Sequence, residues 1–112
     1  MAARTPKPTR PRAERRAEAR QTGKDVRERE RLARLEPGGA PDRPIEVITA
    51  SLVEPRAKGM PCAVCGHTGS VRLDDHTART IDGDALRLAH VRCAMCGYAR
   101  VVYFAIRPPL LN

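Results

Sequence analysis

Two short cysteine motifs decide the fold: Cys62-Ala-Val-Cys65-Gly66 and Cys93-Ala-Met-Cys96-Gly97. In each, the two residues between the cysteines form a tight turn that points both sulfurs toward one centre. The glycine that follows can adopt a positive φ angle and lets backbone N–H groups approach the sulfurs. Two such turns supply four thiolates in a tetrahedral arrangement, the preferred geometry of structural zinc. The predicted ligands of one Zn²⁺ ion are therefore Cys62, Cys65, Cys93 and Cys96.

The segment between the two motifs is long for a site of this kind. It runs for 27 residues, from Gly66 to Arg92, whereas about 15–20 residues are typical. A hairpin with a long excursion would span it. The sequence Ile81-Asp-Gly-Asp84 predicts a hairpin turn, because Asp-Gly tolerates the positive φ angles that such turns need.

Several segments after residue 45 predict strands. They are Ile45–Val53, a short strand around Val71 and Leu73, the alternating residues around Leu86 and Leu88, and Tyr98–Ile106. The first is rich in β-branched residues and apolar on both alternating faces, so it is predicted to be a strand covered on both sides. The last carries the strongest strand signal, and Pro108-Pro109 ends it. No segment after residue 45 shows a clear helical period.

Two knuckles of this kind beside short strands resemble a zinc ribbon. The resemblance covers about residues 60–106, with Ile45–Val53 as an added strand. It implies a small, mostly-β domain of short antiparallel strands with two zinc knuckles. Zinc ribbons occur in ribosomal proteins, transcription factors, polymerase subunits and small adaptors, so the resemblance is specific for metal and not for function. Asp74-Asp75 falls where some elongation-factor ribbons carry an acidic pair, but the surrounding signature is missing and that role is not carried over.

Iron is the alternative to zinc at the four cysteines. Rubredoxins resemble this chain in the pairing and separation of the cysteines, and Tyr98 follows a Cys-Gly as it does in them. They are typically acidic with aromatic-rich cores, whereas this chain has a net charge of +8 and three aromatic residues. Zinc is therefore the expected metal. Disulfides would need an oxidising compartment, and no apolar run behind the N-terminal basic residues signals export.

The first 44 residues differ in composition from the rest. They hold 13 Lys and Arg residues and 7 Asp and Glu residues. They contain only four of the larger apolar residues (Ile, Leu, Val, Met, Phe and Tyr), whereas residues 45–112 contain 22 of them. A segment with so little to bury cannot offset its ordering entropy. The sequence therefore predicts a basic, largely disordered or partly helical arm and linker over residues 1–44. One zinc-ribbon domain is predicted over residues 45–112, small enough that its fold depends on the metal.

Local signals divide the arm into parts. Prolines among basic residues predict extended chain over residues 1–11. Residues 12–35 have helix-favouring composition, but Gly23 interrupts the stretch. A helix is therefore predicted over residues 24–35, where Asp25 and Glu30 each precede an arginine by four residues. The Pro and Gly residues over 36–44 predict a linker.

The surplus of positive charge lies in the arm. A zinc ion with four thiolates carries a charge near −2, which brings the formal +2 of residues 45–112 to about zero. Arginine pairs well with phosphates, and an unfolded basic arm gives salt-dependent, sequence-independent binding. The first hypothesis is therefore binding to RNA, or else to DNA, in association with a ribosome or a polymerase. The predicted contact residues, in the densest basic patch, are Arg10, Arg12, Arg15, Arg16 and Arg20.

A protein-interaction adaptor is the rival hypothesis. The mixed-charge segment 24–35 would fold on a partner protein, and the strand 45–53 or 98–106 would pair with a partner's sheet edge. The alternation of Arg and Glu in the arm favours this interpretation over pure polyanion binding. One-electron transfer through rubredoxin-like iron is the third interpretation.

The sequence also argues against membrane insertion and catalysis. No run of about 18 apolar residues is present, so no helix is expected to span a membrane, and the expected location is cytoplasmic. A catalytic zinc keeps an open coordination position, which four thiolates close. No other nucleophile–base arrangement is found, so the protein is not expected to be an enzyme. His67, beside the first motif, is interpreted as an exposed loop residue.

Overall fold

Four strands form one sheet, and a long helix precedes them. In the computed structural model, which describes residues 11–110, the elements are α1 (Arg12–Leu35), β1 (Ile45–Val47), a 3₁₀ turn (Ala50–Leu52), α2 (Val53–Lys58), β2 (Val71–Ile81), β3 (Asp84–Cys93) and β4 (Ala99–Ile106). The strand order across the sheet is β1–β4–β3–β2. β1 runs parallel to β4, whereas the other neighbours are antiparallel. The protein is thus a small mixed-sheet domain, where antiparallel strands alone were predicted.

The long β2–β3 hairpin accounts for the wide separation of the two cysteine motifs. Its strands pair from Val71 opposite Cys93 down to Ile81 opposite Asp84. The predicted turn is confirmed, since Asp82 and Gly83 have φ angles of 49° and 83°, as the two central residues of a type I′ turn require. β2 extends well beyond the short strand predicted around Val71. Its second half is polar because it is an edge strand with most side chains in solvent.

The predicted strand over residues 45–53 is wrong after its first three residues. β1 ends at Val47, and the chain then turns into the 3₁₀ segment and α2. Val53 and Ala57, four residues apart on α2, are both fully buried against the sheet. That spacing places them on one face of a helix. Two buried residues in a six-residue helix leave no detectable helical period, and the β-branched residues around Ile48 dominate the local pattern.

The core lies on both faces of the sheet, with its larger part under α2. That larger cluster includes Val91, Val102 and Phe104, together with Cys62 and Cys93 at one end. A smaller cluster on the opposite face contains Leu86, Leu88 and Ala105. The larger cluster therefore runs directly into the first cysteine of each motif.

α1 is twice as long as the helix predicted over residues 24–35. It begins at Arg12 and continues through Gly23 to Leu35. A glycine inside a helix costs about 1 kcal/mol relative to alanine, and the Arg, Glu and Ala residues around it are strong helix formers that outweigh this cost. Ala33 near the helix end is buried, whereas every residue from 11 to 22 is exposed. The structure therefore anchors α1 by its C-terminal third.

The connection from α1 to β1 is closely packed. The carbonyl oxygen of Gly38 accepts a hydrogen bond from the backbone N–H of Tyr103 at 2.9 Å, which continues the edge of β4. Gly38 has a φ angle of 85°, and a Cβ there would lie 2.8 Å from Ile45 Cδ1 and 2.9 Å from Val102 Cγ1. The predicted linker 36–44 is thus an ordered turn. The division of the chain at residue 44 stays a prediction.

Candidate metal centre

The structure brings all four predicted cysteine ligands together. Their sulfurs all lie within 4.8 Å of one another. Cys62 Sγ is 3.5 Å from Cys96 Sγ, and Cys65 Sγ is 3.7 Å from Cys93 Sγ. A tetrahedral zinc ion with Zn–S bonds of about 2.3 Å would separate its sulfurs by roughly 3.8 Å. The cluster therefore has the size that one four-coordinate metal ion requires.

The two cysteine motifs adopt the same backbone turn. In the first, the N–H of Gly66 donates to the carbonyl of Cys62, and in the second the N–H of Gly97 donates to the carbonyl of Cys93, both at 2.9 Å. Gly66 and Gly97 have φ angles of 73° and 80°, so the predicted reason for glycine after each pair is confirmed. The repeated turn explains how two short motifs, far apart in sequence, present their sulfurs in matching geometry.

The strands place the two motifs at the same end of the sheet. The first motif precedes β2, and the second connects β3 to β4. In each, the first cysteine (Cys62 or Cys93) is buried and the second (Cys65 or Cys96) is exposed. Two cysteines of the cluster thus lie in the core, and the other two lie on the solvent side.

The thiols of the second motif have very different proton affinities. The Ser70 hydroxyl, 3.2 Å from Cys93 Sγ, and nearby backbone N–H groups lower the pKa of Cys93 to about 6. At Cys96 the backbone N–H of Tyr98 favours the thiolate, but burial and the neighbouring sulfurs outweigh it and raise the pKa to about 11. At neutral pH the second motif therefore favours a thiolate at Cys93 and a protonated thiol at Cys96.

The first motif shows the same division. Burial disfavours the thiolate of Cys62, but backbone N–H groups of Cys65 and Val64 outweigh it and lower the pKa of Cys62. At Cys65 the backbone N–H of His67 favours the thiolate, but burial and neighbouring sulfurs raise the pKa of Cys65. Four adjacent thiolates repel one another, and a divalent cation is the charge that allows all four to form. The donor set therefore fits a metal cation.

Ser70 is a functional residue that the sequence interpretation missed. It is buried, and its carbonyl accepts the N–H of Ala94 at 2.8 Å while its hydroxyl contacts the Cys93 sulfur. This contact exists because β2 pairs with β3 and places Val71 opposite Cys93. No spacing rule links a serine to a cysteine 23 residues later, so the sequence alone carries no signal for it.

The histidines contribute no ligand to the four-cysteine cluster. Among residues 11–110, that cluster is the group of His, Cys, Asp and Glu side chains placed to hold a metal. His67 is exposed, as predicted, and its backbone carbonyl accepts the N–H of Cys62 at 3.0 Å. The ring Nε2 of His76 is buried with no hydrogen-bond partner.

The cations of α1 fall largely on one face of the helix. Successive members are three or four residues apart, and all are exposed. This cationic stripe consists of Arg12, Arg16, Arg20, Lys24, Arg27, Arg31 and Arg34. Of the predicted patch, Arg12, Arg16 and Arg20 lie in it, Arg15 lies about 100° around the helix from Arg16, and Arg10 is outside the described residues. The stripe residues after Gly23 were not predicted as part of the same patch, because Gly23 was interpreted as the end of any helix that precedes it.

Comparisons of the chain with protein-family models, with curated proteins and with solved structures found no match. Within residues 11–110, no helix combines the length and the apolar character that crossing a membrane requires. α1 has the length, but its 24 residues include nine Lys or Arg and five Asp or Glu.

Proposed function

We propose that the protein is a non-catalytic structural-zinc protein of zinc-ribbon type that binds nucleic acid, RNA in the first place, through its N-terminal arm. The observation that carries the metal part is the set of four sulfurs within 4.8 Å of one another. Four thiolates fill a tetrahedral shell, which leaves no open position for a substrate or an activated water. The zinc ion would supply fold stability and no reaction step.

Zinc rather than iron is favoured by the surroundings of the cluster. Rubredoxin-type proteins are typically acidic and aromatic-rich, whereas here Phe104 is the one fully buried aromatic among residues 11–110. Metal analysis of natively purified protein tests this directly. One zinc per chain and no visible colour support the proposal, and stoichiometric iron with visible absorption contradicts it. Reduced cysteines in such a site suit a reducing compartment such as the cytoplasm.

The nucleic-acid part rests on the distribution of charge. Residues 1–44 carry a net charge of +6, from 13 cations and 7 anions, whereas the rest is near neutral once the cluster holds zinc. Helix α1 carries nine of these cations and five of the anions, and every residue from 11 to 22 is exposed. Binding through phosphates would be strong at low salt and independent of base sequence.

Titrations with mixed RNA and with mixed DNA over a range of salt concentrations test this part. The zinc-loaded full chain is compared with a variant lacking residues 1–24, which keeps the anchored third of α1. Salt-dependent binding that the deletion abolishes supports the proposal, and binding to neither RNA nor DNA at low salt contradicts it. Identification of ribosomal or polymerase components that co-purify with the full chain would name the partner.

A protein-interaction adaptor is the second candidate, and an apolar groove favours it. The groove has a volume of about 540 Å³ and lies beside the edge strand β1. Ile48 and Leu52, which line it, are 53% and 41% exposed. Stoichiometric co-purification of a defined protein, lost on Leu52→Asp substitution, would support this candidate over nucleic-acid binding.

A further inference from the structure

The cationic stripe occupies one sector along the whole length of α1. At 100° per residue its seven members fall within a sector of about 120°, and at 1.5 Å per residue they span about 33 Å from Arg12 to Arg34. The continuity of the helix through Gly23 creates this array, since a break there would rotate the two halves independently. The stripe is therefore a property of the fold and not of the composition.

Four of the five acidic residues of α1 lie on another side of the helix. Glu14, Glu18, Asp25 and Glu28 fall within a sector of about 80° that begins beyond the edge of the stripe, whereas Glu30 lies at the Arg12 edge of the stripe. Arg31 pairs with Glu28 at 2.6 Å, and both side chains are more than half exposed. An exposed pair of this kind contributes little stability, so the guanidinium can exchange its partner. Apart from the half-buried Glu30, the acidic side chains of α1 are thus separated from the stripe cations around the helix.

The anchoring of α1 turns the stripe away from the sheet. Ala33 is buried against the domain, and the Arg29 guanidinium donates a hydrogen bond to the carbonyl oxygen of Val64 at 2.7 Å. These two positions and the half-buried Val26 define the domain-facing side. The centre of the stripe lies more than about 100° around the helix from them. Each stripe side chain is exposed to solvent, and the last of them, Arg34, also borders a cleft against Tyr98 and Arg100 of the sheet domain.

We propose that the cationic stripe lies along the phosphate backbone of double-stranded nucleic acid. The proposal rests on the proposed function and adds to it the binding surface and the form of the nucleic acid. A duplex holds its phosphates in fixed relative positions, and one helical turn of B-form DNA covers about 34–36 Å, close to the length of the stripe. An array of cations on one face of a helix gains more from phosphates held in place than from those of a flexible strand.

Single strands fit the surface less well. Proteins that bind single strands combine basic grooves with aromatic side chains on which bases stack. α1 contains no aromatic residue, and the three aromatic side chains of the chain are buried or half-buried in the sheet domain. Duplex RNA and duplex DNA both present the phosphates that the stripe requires.

The experiment measures fluorescence anisotropy with the zinc-loaded full chain. The probes are an RNA duplex and a DNA duplex of two helical turns, about 21 base pairs, and an unpaired RNA strand of equal length without self-complementarity. Seven phosphate contacts predict a slope of log K against log salt near −6 for a duplex, at about −0.9 per contact. Both duplexes are expected to bind more tightly than the unpaired strand, and the two duplex arms show which kind is preferred.

Three variants separate the stripe from net charge. Arg16→Gln removes a stripe cation, and Lys58→Gln removes an exposed cation at the end of α2, outside the arm. The double variant Arg20→Gln/Gln21→Arg keeps the net charge but moves one cation by about 100° off the stripe. Arg16→Gln and the double variant are each expected to reduce the slope by about 0.9 and weaken duplex binding roughly eightfold at 0.1 M salt. Lys58→Gln is expected to change affinity less than twofold. Circular dichroism of each variant and of the wild type checks that their helix contents are equal.

The possible failures are distinguishable. Equal losses for Lys58→Gln and Arg16→Gln, or wild-type affinity in the double variant, overturn the stripe while leaving nucleic-acid binding intact. Tighter binding of the unpaired strand than of either duplex overturns the assignment to duplexes. Binding to none of the three probes at low salt overturns the proposed function itself.

Discussion

The cysteine end of the sheet and the first half of α1 are ordered by different means. At the cysteine end, both turns are fixed by backbone hydrogen bonds such as Cys93 N–H to the Tyr98 carbonyl at 2.9 Å, and two of the four sulfurs are buried in the core. In residues 11–22 every side chain is exposed. One region is held by tertiary contacts around the four-cysteine cluster, and the other by local helix propensity alone.

This difference shows what each region requires from outside the chain. Four thiolates need a metal before the cysteine end reaches its full stability. An exposed helix of a few turns is marginal in water, and repulsion along the cationic stripe adds to its cost, so the first half of α1 gains most from a polyanion. The stability of the sheet domain is therefore expected to depend on bound metal, and the stability of the first half of α1 on salt and nucleic acid.

The largest expected effect comes from removing a ligand. Cys93→Ser takes away a buried sulfur, and structural zinc contributes about 10–16 kcal/mol of apparent binding energy in zinc-finger peptides. We expect loss of cooperative thermal unfolding of the sheet and loss of bound metal. Met95→Ala is the matched control, because Met95 lies in the same turn and is 67% exposed. A metal-free protein that melts like the loaded one would contradict the structural role of the metal.

A core truncation under α2 ranks next. Phe104 is fully buried at the centre of the larger cluster, and Phe→Ala in a core typically costs 3–5 kcal/mol. Urea unfolding of the zinc-loaded protein should show this loss for Phe104→Ala. Leu32→Ala on the exposed side of α1 should stay within about 0.5 kcal/mol. Similar losses at both positions would mean that α1 belongs to the same core.

The features that the sequence predicted are those encoded by neighbouring residues. The four ligands and the turn at Asp82-Gly83 depend on spacings of a few residues, and β4 depends on the consecutive β-branched and aromatic residues Val101-Val-Tyr-Phe104. α2 was missed because the burial of Val53 and Ala57 depends on a sheet formed by later residues. The length of α1 was missed because one glycine was given more weight than the many helix formers that flank it.

An intermediate effect is expected from the hydroxyl beside the cluster. Ser70→Ala removes the group that most strongly lowers the pKa of Cys93 to about 6, so that pKa should rise toward its usual value. A lowered pKa keeps Cys93 in the thiolate form until the pH falls through that pKa. When the pKa of Cys93 is raised, protons compete with the metal for its sulfur at a higher pH. Metal release on acidification should therefore occur at higher pH in the variant.

Competition with a chromophoric chelator measures this effect. We expect the affinity for zinc at neutral pH to fall roughly 10- to 100-fold, as is typical for groups that orient metal ligands. Ser51→Ala provides the control, since Ser51 is exposed and its hydroxyl contacts Thr49. An unchanged release pH in Ser70→Ala would show that backbone N–H groups alone set the proton affinity of Cys93.

The smallest expected effect is confined to the helix. Gly23 has open space around it, since a Cβ added there would lie 4.0 Å from its nearest neighbour, Arg27 Nη2. Gly23→Ala should therefore stabilise α1 by about 1 kcal/mol. Helicity and amide protection over residues 12–22 should increase, while the melting temperature of the sheet stays constant. Gly38→Ala, where the new Cβ would press on Ile45 and Val102, should instead lower that melting temperature. A common shift in helix and sheet for Gly23→Ala would show that the arm and the cysteine end unfold as one unit.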